Sequence, residues 1–253
     1  MSEASNNSSL ETATTIEDRV TLAVRQMLLS GEFVPGQKIG EVAIADRLGV
    51  SRMPVRRALA VLERDGLVTA EPNRGAFAAR FTVKQVTDAR ALRGALEGMA
   101  ARLVAEMGLR PSLRRDLEIM LEEGDRLFAA GDFSASVAAA YRSLNCRFHT
   151  AIVVGADNKP LLMAYEANNR LPLASPEAIA VDLSNLNAIS QTLRETQVDH
   201  HRIVTALKSG QGSRAEALLR EHTQTAIEAF LKYADRLDEL DPKALPGLRL
   251  VVG

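Results

Sequence analysis

The sequence predicts a mainly α-helical chain in two parts: three helices with a β-hairpin, then an all-α bundle of six helices. Apolar residues recur at spacings of three and four through most of the 253 residues, the period of one helix face. A strand-compatible stretch with a turn-forming centre, Pro72-Asn73-Arg74-Gly75, comes early. Beyond residue 82 strand-like alternation nearly disappears and Ala/Leu/Arg/Glu-rich runs take over. The 46% hydrophobic share is enough to build buried cores in two ordinary domains.

Residues 1–14 are Ser/Asn/Thr-rich and aperiodic, and are expected to be a disordered tail. A first helix is expected over 16–30, where Ile16, Val20, Val24, Met27 and Leu28 share a face and Gly31 follows as a left-handed cap. Pro35-Gly36 occupies the centre of a type II turn, since Pro presets φ and Gly accepts a positive φ. A short helix follows over 42–48, broken by Gly49-Val50. Ser51 can cap the next helix, which runs to about Asp65 with Pro54 in its first turn. The hairpin closes a domain spanning 15–81. Thr82-Val83-Lys84-Gln85 has capping-box spacing and starts a long helix. Gly and Pro punctuation then divides the rest into helices at about 83–107, 112–130, 133–154, 158–171, 185–209 and 213–238. These form an expected domain at 82–240, and 241–253 is read as a C-terminal tail, docked or not.

Charge and cysteine content narrow the function. With net charge −1, nucleic-acid contact has to be local rather than histone-like. The one cysteine, Cys146, cannot form an internal disulfide, which favours a reducing, cytoplasmic setting. There is no apolar run near 18 residues, so no membrane partner is expected, and the N-terminus lacks signal-peptide patterning.

Between Ala43 and Asp65 the pattern becomes specific. Ile44, Ala45 and Leu48 face Val55, Leu59 and Leu62 across the Gly49 turn, which leaves the other side of the second helix outward. That side carries Arg52 and Arg56, four residues apart, with Arg57 beside them and Met53 at the N-terminal end. Arginines grip phosphate or read guanine edges bidentately. The alternative is a solvated arginine face; residues 15–82 hold ten Lys/Arg against eight Asp/Glu, only +2. Co-occurrence of the short helix, glycine turn, arginine-bearing helix and basic hairpin tip decides for DNA.

Pro35-Gly36-Gln37, the run from Ile44 to Leu59, Asp65-Gly66-Leu67-Val68 and Asn73-Arg74-Gly75-Ala76 resemble the winged helix-turn-helix of the GntR family. The resemblance implies operator binding, with Arg52, Met53, Arg56, Arg57, Arg74 and Gly75 as contacts. Val42, Met53 and Arg57 depart from the usual arginine, threonine and glutamate, which implies an altered base preference.

The four histidines, His149, His200, His201 and His222, all fall in the helical part. Asn145 and His149 share a helix face. His200 and His222 are each eleven residues from Gln211, so an antiparallel hairpin sets them at one height. Three imidazoles suit a transition metal, with zinc first and nickel, manganese or iron as alternatives. His201 points about 100° away and is not taken as a ligand.

The same residues, with Asn158-Lys159-Pro160-Leu161 and Arg220-Glu221-His222, resemble the FCD effector domain of FadR-type regulators, in the six-helix, VanR-like arrangement. That implies metal binding by His149, His200 and His222, with Asn145 where aspartate is frequent, and a small organic acid beside the metal. Arg93, Asn169 and Arg170 are the nominated effector contacts, although Arg93 and Glu97 also have the spacing of an intrahelical ion pair. The expected function is a ligand-responsive homodimeric regulator, a repressor of a palindromic operator in double-stranded DNA. A metal sensor is the alternative. A metal-dependent enzyme comes last, because no general base sits at motif spacing beside the histidines.

Overall fold

A computed structural model describes residues 15–129, 133–176, 178, 186–232, 234 and 247–252. The expected N-terminal tail and residues 241–246 lie outside the described residues.

The N-terminal part is a winged helix-turn-helix: α1 (Ile16–Leu29), β1 (Lys38–Ile39), α2 (Glu41–Leu48), α3 (Arg52–Arg64), β2 (Val68–Glu71) and β3 (Gly75–Ala78). Thr15 caps α1 in a reciprocal box with Asp18. Gly36 has φ 77 and Gln37 N–H donates to Val34 O, the expected turn. Gly49 ends α2 in the left-handed region and turns the chain into α3. Ser51 precedes α3 in extended backbone but makes no side-chain cap bond, so the capping role expected for it is absent.

The expected hairpin is a three-stranded sheet in the order β1-β3-β2, with Lys38 opposite Phe77 and Ile39 opposite Ala76. A strand of two residues has no detectable period, so β1 was invisible in the sequence. Val24, Leu28, Ile44, Val55, Leu59, Leu62 and Leu67 fill the core between the helices and this sheet.

Among the described residues six α-helices follow: α4 (Val83–Met107), α5 (Pro111–Ala129), α6 (Ala135–Gly155), α7 (Lys159–Asn169), α8 (Leu186–Lys208) and α9 (Gly212–Leu231). Thr82 and Gln85 form the expected capping box. Helix α4 runs against α9 at close range because Gly94 and Gly98 have no side chains: a Cβ would stand 2.9 Å from Thr223 Cβ and 2.9 Å from Arg220 Cγ. This contact brings the buried polar residues of α4 against α9. Among the described residues no helix is long and apolar enough to cross a membrane.

Residues 247–252 of the C-terminal tail, whose docking the sequence leaves open, dock on the N-terminal part. A 3-10 turn, Leu248–Leu250, leads into β5 (Val251–Val252), which pairs in parallel with β4 (Phe81–Thr82). Leu248, Leu250 and Val251 are buried in the N-terminal core. Their apolar side chains hold the segment there.

Candidate DNA-reading face and metal centre

Helix α3 presents Arg52, Arg56 and Arg57 outward, each more than half exposed, with Met53 also exposed. The core side of the same helix is Val55, Ala58, Leu59 and Leu62. Glu41, at the start of α2, holds two of the arginines with one oxygen: Arg56 Nε donates to its Oε2 at 2.7 Å and Arg52 Nη2 at 3.3 Å. Slight burial pushes the Glu41 carboxyl up, but these hydrogen bonds and the two positive charges bring it below its ordinary value. Arg57 pairs with Glu17 of α1. In the wing, Arg74 pairs with Glu71 and lies 5.4 Å over the Phe77 ring, while Gly75 takes φ 100. Lys38 reaches the same tip, its Cε 3.4 Å from where a Gly75 Cβ would be. Neither Glu41 nor Lys38 was singled out from sequence. The Lys38 contact depends on the undetected β1, and Glu41 could have been found only as a lone acid eleven and fifteen residues before two arginines.

The second constellation is buried. His149 from α6, His200 from α8 and His222 from α9 bring one ligand nitrogen each within 4.8 Å of the others. The His200 and His222 rings lie 5.1 Å apart between centroids, as antiparallel hairpin packing of α8 and α9 predicts. His200 stacks on Phe148 at 4.0 Å. His201 faces away and binds Asp125 at 2.9 Å.

Glu97, fully buried on α4, accepts from His149 Nδ1 at 2.9 Å. Burial pushes the Glu97 carboxyl up, yet its pairing with His149 through the Nδ1 hydrogen bond and the positive charge of Arg93 bring it below its ordinary value, so it is ionised. An ionised carboxylate only accepts, so Nδ1 carries the proton and Nε2 is left as the ligand nitrogen. Burial lowers the His149 pKa and lowers that of His200 further, so both favour the neutral form that metals require. His200 Nε2 and Asn145 Oδ1 are buried without a hydrogen-bond partner. Two orphaned acceptors beside converging imidazoles fit a cation, because leaving them unpaired costs about 1–3 kcal/mol each. In the sequence Glu97 has only the spacing of an Arg93 partner; its small neighbours Gly94 and Gly98 are the signal that this face of α4 is buried.

A cavity of about 50 Å³ adjoins the cluster, lined among others by Arg93, Asn145, His149, Asp199, His222 and Thr225. Arg93 is buried, 3.5 Å from Glu97 through Nε, and donates from Nη1 to Ala174 O at 2.9 Å. Asn169 and Arg170, the other nominated effector contacts, do not line it. Arg170 instead donates to Asp65 Oδ1 at 2.9 Å, because it follows the end of α7 where the chain turns toward α3. Arg90, one turn before Arg93, was not singled out. It is buried, its pKa brought down to about 9 by burial and by the neighbouring charge of Arg93. It donates to the carbonyls of Leu173, Ala178 and Ala226.

Residues 16–78 match the family model described as bacterial regulatory proteins, gntR family, and residues 88–225 match the FCD domain. An uncharacterized HTH-type transcriptional regulator in an unstable DNA locus of Streptomyces ambofaciens is 39% identical over 238 residues, covering 92% of this chain and 94% of that one. The "Probable D-xylose utilization operon transcriptional repressor" of Paenarthrobacter nicotinovorans is 27% identical over 223 residues, 86% of this chain and 90% of that protein. A 32% match to a Bacillus subtilis HTH-type regulator spans 64% of that relative. The solved structure of E. coli McbR/YncC has the same fold, with a TM-score of 0.59 at 24% identity, over 87% of this chain and 99% of that one.

Proposed function

Because the chain belongs to the gntR family of bacterial regulatory proteins and carries an FCD domain, it is a transcription regulator rather than an enzyme, and we propose that it represses from a palindromic operator as a cytoplasmic homodimer. The observation that carries this reading is the outward guanidinium set on α3, held by a carboxylate that DNA phosphate can replace. Arg52, Met53, Arg56 and Arg57 enter the major groove, and Arg74 and Gly75 of the wing meet the adjacent backbone. A two-fold protein matches a two-fold site. Leu92 and Met99, exposed seven residues apart on one face of α4, supply apolar surface for self-association. The repressor sign is supported by the name of the Paenarthrobacter relative.

Control comes from the helical domain. His149, His200 and His222, with Asn145 Oδ1, hold a divalent metal, zinc first and nickel, manganese or iron as alternatives. When bound, such an ion supplies positive charge and an open position for an anionic ligand. Glu97 fixes the His149 tautomer, and Arg93 offers a buried cation to the carboxylate of a small organic acid. At about 50 Å³ the cavity admits only a few water-sized groups. That small volume favours a second reading, in which the metal alone is the signal.

Duplexes selected from a random-sequence pool should yield an inverted repeat bound by the metal-loaded protein, and a small carboxylate should raise its melting temperature. Recovery of no enriched sequence contradicts operator binding. DNA release driven by metal titration alone favours the sensor.

A further inference from the structure

Residues 171–176, which leave α7, belong to one half of the molecule by their side chains and to the other by their carbonyls. Leu173 is buried in the N-terminal core, and Leu171 packs against that core. Leu171 Cδ2 lies 3.2 Å from where a Cβ of Gly66 would stand, directly behind the end of α3. The carbonyls of Leu173, Ala174 and Pro176 are held from the helical domain, by Arg90 Nε at 2.9 Å, Arg93 Nη1 at 2.9 Å and Asn145 Nδ2 at 2.7 Å. All three donors are buried. Leu173 has φ 59, a left-handed conformation that bulky side chains avoid and that persists only where the surroundings over-determine it. Its side chain is pinned in one core and its carbonyl by the other domain.

Two of these three donors face the cavity: Arg93 and Asn145 both line it. At the other end, Arg170 donates to Asp65, the buried residue that ends α3 and also pairs with Arg25 of α1. We propose that residues 171–176 couple the cavity to the recognition helix, with Arg170 as the positioning residue that passes their displacement to Asp65. An occupant that draws the Arg93 guanidinium or Asn145 amide toward itself changes their hold on Ala174 and Pro176. The strained backbone at Leu173 then shifts, and Leu171 and Arg170 shift against Gly66 and Asp65. The differential contacts that a coupling needs are thus made at one end by groups of the cavity and at the other by the C-terminus of α3. This inference rests on the cavity being the signalling site.

Amide hydrogen exchange on the full chain tests it, with zinc alone as the probe and zinc binding measured separately by calorimetry. In the wild type, zinc should change exchange at least threefold in residues 171–176 and also at Asp65, Gly66 and Leu67, whose N–H groups bond to Val61, Glu63 and Leu62 carbonyls. In Arg170→Ala zinc should bind with unchanged affinity and still act on 171–176, while its effect on residues 65–67 falls at least threefold. An undiminished effect at 65–67 in Arg170→Ala, or no change at 171–176 with zinc bound, overturns the proposal. A metal-free arm separates this from failure of the metal reading. In chelator, Asn145→Ala should accelerate exchange at 171–176 and at 65–67, and no change there overturns the coupling. Absence of zinc binding alone overturns the metal centre instead.

Discussion

Arg56 and Arg93 each meet a glutamate, and the surroundings make the two pairs opposite in use. The Arg56–Glu41 pair lies in solvent at 2.7 Å, its arginine more than half exposed. Such a pair is screened and contributes little, about 0–1 kcal/mol, so DNA can take the arginine at small cost. The Arg93–Glu97 pair is buried, and Glu97 also carries His149. A buried charge cannot be released without leaving its partner unpaired. The lesson is that exposure makes a cation available to an outside ligand, whereas burial commits it to an internal arrangement that a ligand can only tilt.

The largest expected effect follows from breaking the buried pair. Glu97→Ala should cost about 3–5 kcal/mol in denaturant unfolding, because Arg93 is stranded in the interior. A loss below 1 kcal/mol would mean that Arg93 is solvated. Next, Glu97→Gln keeps the volume but weakens the hold on the His149 tautomer, and should lower zinc affinity about 10–100-fold by calorimetry. On the exposed side, Arg56→Ala should weaken operator binding by about 1–3 kcal/mol in a gel-shift titration. Its unfolding free energy should change by no more than about 0.5 kcal/mol, since nothing in the core is touched. The smallest effect belongs to Glu41→Gln, which frees Arg52 and Arg56 for phosphate. The log–log salt dependence of binding to non-specific duplex should steepen by about 0.9 or less, the contribution of one phosphate contact.

Much of this contrast was legible in the sequence, for stated reasons. The outward arginines followed from the apolar face Val55, Leu59 and Leu62, and the level of His200 and His222 from equal distances to Gln211. Helical periodicity is a local signal, and both deductions needed only that. Glu97 as the partner of His149, Glu41 as the holder of two arginines and Arg170 on Asp65 are long-range pairings, separated by 52, 15 and 105 residues. No period encodes them. Whether Leu248, Leu250 and Val251 dock stays open in the sequence for a related reason: a few apolar residues do not say which core will take them.

The most direct test of the account is the affinity of the Arg52→Ala/Arg56→Ala double variant for a duplex selected by the wild-type protein, measured beside its zinc affinity. Operator binding should fall to the level of unrelated DNA while zinc binding stays within twofold of wild type. Retained sequence-specific binding by a folded, zinc-loaded double variant would contradict the account.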